Sequence, residues 1–254
     1  MQYKTVKELI ESDGLRIILV AGVPSPWGQA AKAMMEYKGL EYTAAPLMAG
    51  ETNDDIVAWS GINSGPIVAW NDEAPINRWN DILFLLERLA PQKPLIPEES
   101  IPRAKMIGLS HEICGELGLG WNRRLAMFQP MMESGEAPEG IARMSGKYGY
   151  NESDVAVANQ RQIATLGMLT SILESQHEQG SDYFIGDTLT ALDIYWPAFC
   201  NIMRTLPVDQ CPTAEPIRPL FDMIDPNVKA AIDPILLAHR DRIMEAHFKI
   251  PMEF

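Results

Sequence analysis

The chemistry-bearing residue with the most suggestive setting is Ser25, in the stretch GVPSPWG (residues 22–28) directly ahead of a helix-forming run. Ser-Pro reads two ways there, as an ordinary turn opener or as an active-site hydroxyl at the first turn of a helix. The three cysteines, Cys114, Cys200 and Cys211, form neither a CxxC pair nor a metal-ligand set, and read as buried apolar residues in a reducing compartment. The four histidines, His111, His177, His239 and His247, lack HxxxH or HExxH spacing, so no zinc site is expected. Met127, Met131, Met132 and Met144 either fill a core or line a plastic apolar pocket. Thr190 and Asp193 stand in the S/T-x-x-D relation of a capping box, flanked by Leu189 and Ile194 as a hydrophobic staple. Such a cap contributes about 1 kcal/mol, which suits fixing the start of a buried helix rather than catalysis.

The elements that must hold these residues follow from periodicity. Residues 4–12 make a short helix ended by Asp13-Gly14, and LRIILVA (15–21) is a near-continuous apolar run suited to a buried strand. A helix is predicted from about Trp27 to Lys38 with Gly39 as its C-cap, then a strand in EYTAAPLM and a short helix capped by Asn53. PIVAW and PIN, joined by NDEA, read as a hairpin, and NDILFLLERLAP as a helix stopped by Pro91. The order is βαβαββα. PQKPLIPEESIP, with four prolines and no apolar period, has the composition of a linker.

Everything beyond the linker reads helical. Ser100 is the expected N-cap of one long amphipathic helix carrying Met106, Leu109, Ile113, Leu117, Trp121, Leu125 and Phe128, weakened at Gly115, Gly118 and Gly120. Residues 134–153 are expected to be a loop, and residues 155–174, 217–224 and 228–247 helices. The division is an N-terminal extension (1–14), a βαβαββα unit (15–91), a linker (92–99) and an all-helical unit (100–254).

Bulk composition excludes several functions. With 254 residues, 46% of them hydrophobic, the chain can bury a substantial core. Its net charge of −13 leaves no basic stripe for nucleic acid or anionic membranes. No apolar run spans a bilayer and the polar start does not read as a signal peptide, so a cytoplasmic location is expected.

The element order, the proline-rich linker and the capped buried helix together resemble the glutathione transferase superfamily over essentially the whole chain. VPSPWGQAAKAMMEYKGLEY resembles that family's first strand, active-site loop and first helix, with Ser25 at the catalytic hydroxyl. NSGPIVAW resembles the loop and strand bearing the family's cis-proline, here Pro66, and GDTLTALDI resembles its buried N-capping box. The resemblance implies a thioredoxin-like domain followed by a helical bundle, a homodimer, and glutathione as co-substrate. Its thiolate would be stabilised by Ser25 for attack on a small hydrophobic electrophile. It further implies cofactor contacts at Trp27, Gly65, Pro66, Ile67, Arg78 and Trp79, with His111, Cys114, Trp121 and Asn122 as a wall for the electrophile. Arg78 and Trp79 stand where the family has an acid and a serine for the γ-glutamyl end. The loop before Pro66 is also shorter than the family's. A non-catalytic binding or scaffold protein, and a specialised glutathione-dependent isomerase, dehalogenase or etherase, are the alternative readings. A thiol-disulfide oxidoreductase is disfavoured, because neither Ser25 nor Gly28 is a cysteine.

Overall fold

A computed structural model describes residues 2–215 and 217–254. Its first part contains α1 (Val6–Ile10), β1 (Leu15–Val20), α2 (Pro26–Lys38), β2 (Thr43–Leu47), α3 (Asp54–Ser60), β3 (Ile67–Trp70) and α4 (Trp79–Leu89). The sheet order is β2-β1-β3, with β1 parallel to β2 and antiparallel to β3. Because strand side chains alternate, the apolar run of β1 serves two cores. Leu15, Ile17 and Leu19 join the main core, whereas Ile18 packs with Leu9, Ala45, Leu47, Ile56 and Ile67. The N-terminal helix α1 thus supplies Leu9 to close the far face of the sheet.

The expected hairpin is present only in part. Val68 and Ile76 exchange both backbone hydrogen bonds at 2.8 Å, but their pairing remains an isolated bridge. Pro75 has no N–H to extend the ladder, and the chain turns into α4 three residues after Ile76. Asn53 does not cap α3 through its side chain. Its backbone is left-handed, and its amide instead ties Met48, Glu51 and Asn63 into one loop.

The remainder comprises α5 (Ser100–Cys114), α6 (Leu119–Glu133), α7 (Glu139–Lys147), α8 (Glu152–Glu178), α9 (Ala191–Cys200), α10 (Arg218–Asp222), α11 (Pro226–Ala230) and α12 (Pro234–His247). Glu99, one residue before Ser100, is the N-cap of α5. The single long helix read from periodicity is therefore two helices. At the break the chain folds back on the last turn of α5: a Cβ on Gly118 would lie 2.8 Å from the carbonyl oxygens of His111 and Glu112. Asn122 secures the break by donating to the carbonyls of Leu117 and Gly118. The segment read as a loop contains α7, which presents Ile141 and Met144 at helical spacing beside α6. The final helix is divided because Asp233 precedes Pro234, which disfavours helical backbone at Asp233, and its carboxylate caps α12.

All of α9 is buried, packing against α2, α5 and α12. Its capping box is formed, with the Asp193 carboxylate accepting from the Thr190 backbone N–H and hydroxyl, each at 2.8 Å. All three cysteines are buried. No helix among the described residues is long and apolar enough to cross a membrane.

Candidate functional site

Ser25 is the N-cap residue of α2, followed by Pro26, whose missing N–H costs nothing in the first helical turn. It is only 7% exposed, and its hydroxyl makes no hydrogen bond to any described residue. A Cβ on Gly28, one turn into α2, would approach Leu19 to 3.0 Å, so glycine lets the helix start lie close on β1. Ser25 is buried, yet its hydroxyl is not among the fully enclosed unpaired polar atoms, so it is free to donate into the space it faces. It opens on a cavity of about 260 Å³ walled by Met127, Phe128 and Met131 of α6 and Met144 of α7. Three of the four methionines singled out in the sequence therefore meet in one pocket. Met132 lies elsewhere, its sulfur 3.3 Å from the Ser145 hydroxyl.

A larger cavity, about 880 Å³, adjoins the first and shares Ser64, Gly65, Lys147 and Tyr148 with it. Trp27, Gly65, Pro66, Arg78, Trp79, His111, Cys114 and Trp121 all line it, so most of the anticipated site residues converge on one space. The Gly65-Pro66 peptide bond is cis, as the sequence led us to expect. Two anticipated residues stand apart from the walls. Ile67 is fully buried in the smaller core beside Ile18, and Asn122 is fully buried at the α5–α6 break.

The aromatic walls are held by packing rather than left free. The Trp27 indole donates to the Cys114 carbonyl at 2.9 Å and meets Phe199 edge to face at 4.8 Å. A Cβ on Gly120 would come within 2.3 Å of the Phe199 ring, so a glycine is needed where α6 passes this pair. Trp121 donates to the Tyr148 carbonyl at 2.9 Å. Trp79 is half-buried and meets Tyr195 edge to face at 5.6 Å while also facing the cavity. It is thus both a core and a wall residue. Arg78, the exposed N-cap residue of α4, makes no ion pair with any described residue.

Burial pushes the Cys114 thiol well up, which makes it a poor nucleophile. Burial also raises the Tyr148 phenol, against the opposing charge of Arg124. Burial, then repulsion from Arg143, lowers the Lys147 ammonium, which donates to the Asn63 carbonyl. Arg124, Lys147 and Tyr148 are wall residues that reading the sequence passed over. The available signal was the i, i+3 spacing of Ile141, Met144 and Lys147, which marks a helix through the polar segment.

No protein-family model and no curated protein sequence matches the chain. Solved structures do. The β-etherase LigF from Sphingobium sp. strain SYK-6 is similar at a TM-score of 0.63 with 16% identity, over 91% of this chain and 95% of that one. A rice glutathione transferase in complex with glutathione is similar at 0.60 with 16% identity, over 95% and 94%. A glutathione transferase from Methylobacterium radiotolerans, in complex with glutathione sulfonate, is similar at 0.57 with 16% identity, over 91% and 90%. What this chain shares with them is the fold: a thioredoxin-like first part followed by a helical one.

Proposed function

We propose that this chain, built on the glutathione transferase fold, binds glutathione and stabilises its thiolate for attack on a small hydrophobic electrophile. The observation that carries the reading is Ser25, a largely buried residue whose hydroxyl has no protein partner, at a helix N-terminus and facing a cavity. A hydroxyl donating to sulfur at that place favours the thiolate through a charge-assisted bond and the positive end of the helix dipole. The thiol proton passes to solvent, the sulfur forms a bond to the electrophilic carbon, and the leaving group departs with its electron pair.

The walls suit this substrate. Gly65, in the bend before β3, lines both cavities where the cysteinyl peptide would lie, and the first N–H groups of α4 can receive a carboxylate with Arg78 adding a second contact. The Met-lined cavity beyond Ser25 remains for the electrophile. The similar rice and Methylobacterium proteins were solved with glutathione or its sulfonate, which supports the same ligand here. Three buried, unpaired cysteines suit the reducing cytoplasm.

Calorimetric titration with glutathione tests the reading. Wild type is expected to bind, and Arg78→Ala to bind about tenfold more weakly through loss of a charge-assisted contact. Equal affinity in both proteins would remove Arg78 from the site. Absence of binding by wild type at millimolar glutathione would favour a non-catalytic protein, the reading suggested by Arg78 and Trp79 in place of an acid and a serine.

A homodimer is part of the proposal. Phe84 on α4, at the larger cavity, is 49% exposed, and Ile101 at the start of α5 is 80% exposed, exposed apolar side chains of the kind a second copy would cover. Light scattering is expected to give twice the 28.3 kDa chain mass, and Phe84→Arg to shift it toward the single chain. A monomeric wild type at micromolar concentration would discard the dimer.

A further inference from the structure

Arg123 and Arg124 are neighbours on α6 with opposite fates. Arg123 is buried and spends its guanidinium on three backbone carbonyls, those of Ile202, Phe221 and Met223, at 3.1, 2.9 and 2.8 Å. Burial, and next the charge of Arg124, bring Arg123 down to about 10. Arg124 points the other way, into the Met-lined cavity that Ser25 also faces. Its guanidinium lies 5.5 Å from the centroid of the Phe221 ring and 3.8 Å from the Met127 sulfur. It is half-buried, and no carboxylate among the described residues pairs with it.

The surroundings sharpen this imbalance. In a chain with 34 acidic and 21 basic residues, the described walls of this cavity carry two cations, Arg124 and Lys147, and no carboxylate. Lys147 already donates to the Asn63 carbonyl. Besides the Tyr148 phenol, with which it interacts, this half-buried guanidinium faces methionine and phenylalanine, and its planar fork matches a carboxylate. An uncharged apolar ligand would leave that charge uncompensated in a space made less polar by the ligand itself.

We propose that Arg124 is a specificity residue for the second substrate, selecting a molecule with an apolar body and a carboxylate at the end remote from the Ser25 thiolate. The body would lie on Met127, Met131 and Met144, whose unbranched side chains adapt to shape. Naming this ligand the second substrate rests on the proposed function; the affinity for a carboxylated hydrophobe does not.

The test compares para-nitrobenzoate with nitrobenzene, without glutathione, by quenching of intrinsic tryptophan fluorescence. Wild type is expected to bind the acid on the order of tenfold more tightly than the neutral ring, a preference that shrinks with added salt. In Arg124→Met the ratio should fall to near one, and Arg124→Lys should keep part of it. No preference in wild type, or the full ratio retained in Arg124→Met, overturns the proposal. If Arg124→Met fails to fold, the wild-type ratio, its salt dependence and Arg124→Lys still decide. Glutathione titration of the same preparation separates the two ideas. Acid preference without glutathione binding keeps the Arg124 site and sinks the transferase reading, whereas glutathione binding without acid preference does the reverse.

Discussion

Replacing Asp193 by alanine is expected to destabilise the protein by about 3–5 kcal/mol, the effect of removing a buried carboxylate on which three buried donors depend. The carboxylate is completely buried and accepts from the Phe184 N–H at 3.0 Å and from the Thr190 N–H and hydroxyl at 2.8 Å each. His239 of α12 brings Nε2 to 3.2 Å from the same carboxylate, within ion-pair distance though not aligned as a hydrogen bond. One side chain thus ties the start of α9 to the preceding segment and to α12. Alanine would leave several donors buried without an acceptor, each costing about 1–3 kcal/mol. Thr190→Ala removes only a cap and should cost about 1 kcal/mol. Denaturant unfolding of both variants decides the matter, since equal losses would mean that Asp193 is only a cap. The expected fall in melting temperature for Asp193→Ala is roughly 6–20 °C for a chain of this size.

Much of this was legible because local and tertiary preferences agree. The apolar run of residues 15–21 needs burial on both faces, and both faces are covered. The Thr190–Asp193 spacing has one common structural meaning and adopts it. The Gly65-Pro66 bond is cis and Ser25 stands just before α2, as their sequence context led us to expect. What failed to show depends on contacts distant in sequence. The α5–α6 break preserves apolar spacing across residues 106–128, so periodicity cannot reveal it; the close approach of Gly118 to the carbonyls of α5 does. Helix α7 was hidden by Gly140 and Gly146, and its burial depends on α6 beside it. Arg123 and Arg124 are indistinguishable as letters. About 100° of helical rotation sends one to carbonyls of the core and the other to a cavity.

Ser25→Ala is expected to lower glutathione-dependent conjugation of an aryl halide by on the order of 10²-fold in kcat/KM, the usual effect of losing a donor aimed at developing or resident negative charge. The fold should survive. Ser25 makes no side-chain cap bond at α2, and its hydroxyl bonds to no other described residue, so its removal breaks no protein hydrogen bond. The N–H groups of α2 remain, and with them the positive end of the helix, so the variant should keep some thiolate stabilisation. Two readouts separate this role from packing. The pH at which bound glutathione gains its ultraviolet thiolate absorbance should move up toward that of the free thiol. Glutathione affinity measured well below that pH should change little, because the neutral thiol draws far less from the hydroxyl than the thiolate does. An unchanged thiolate titration would sink the proposed role of Ser25. A lowered affinity and a lowered melting temperature together, with the titration unmoved, would assign Ser25 to the structure of the loop before α2.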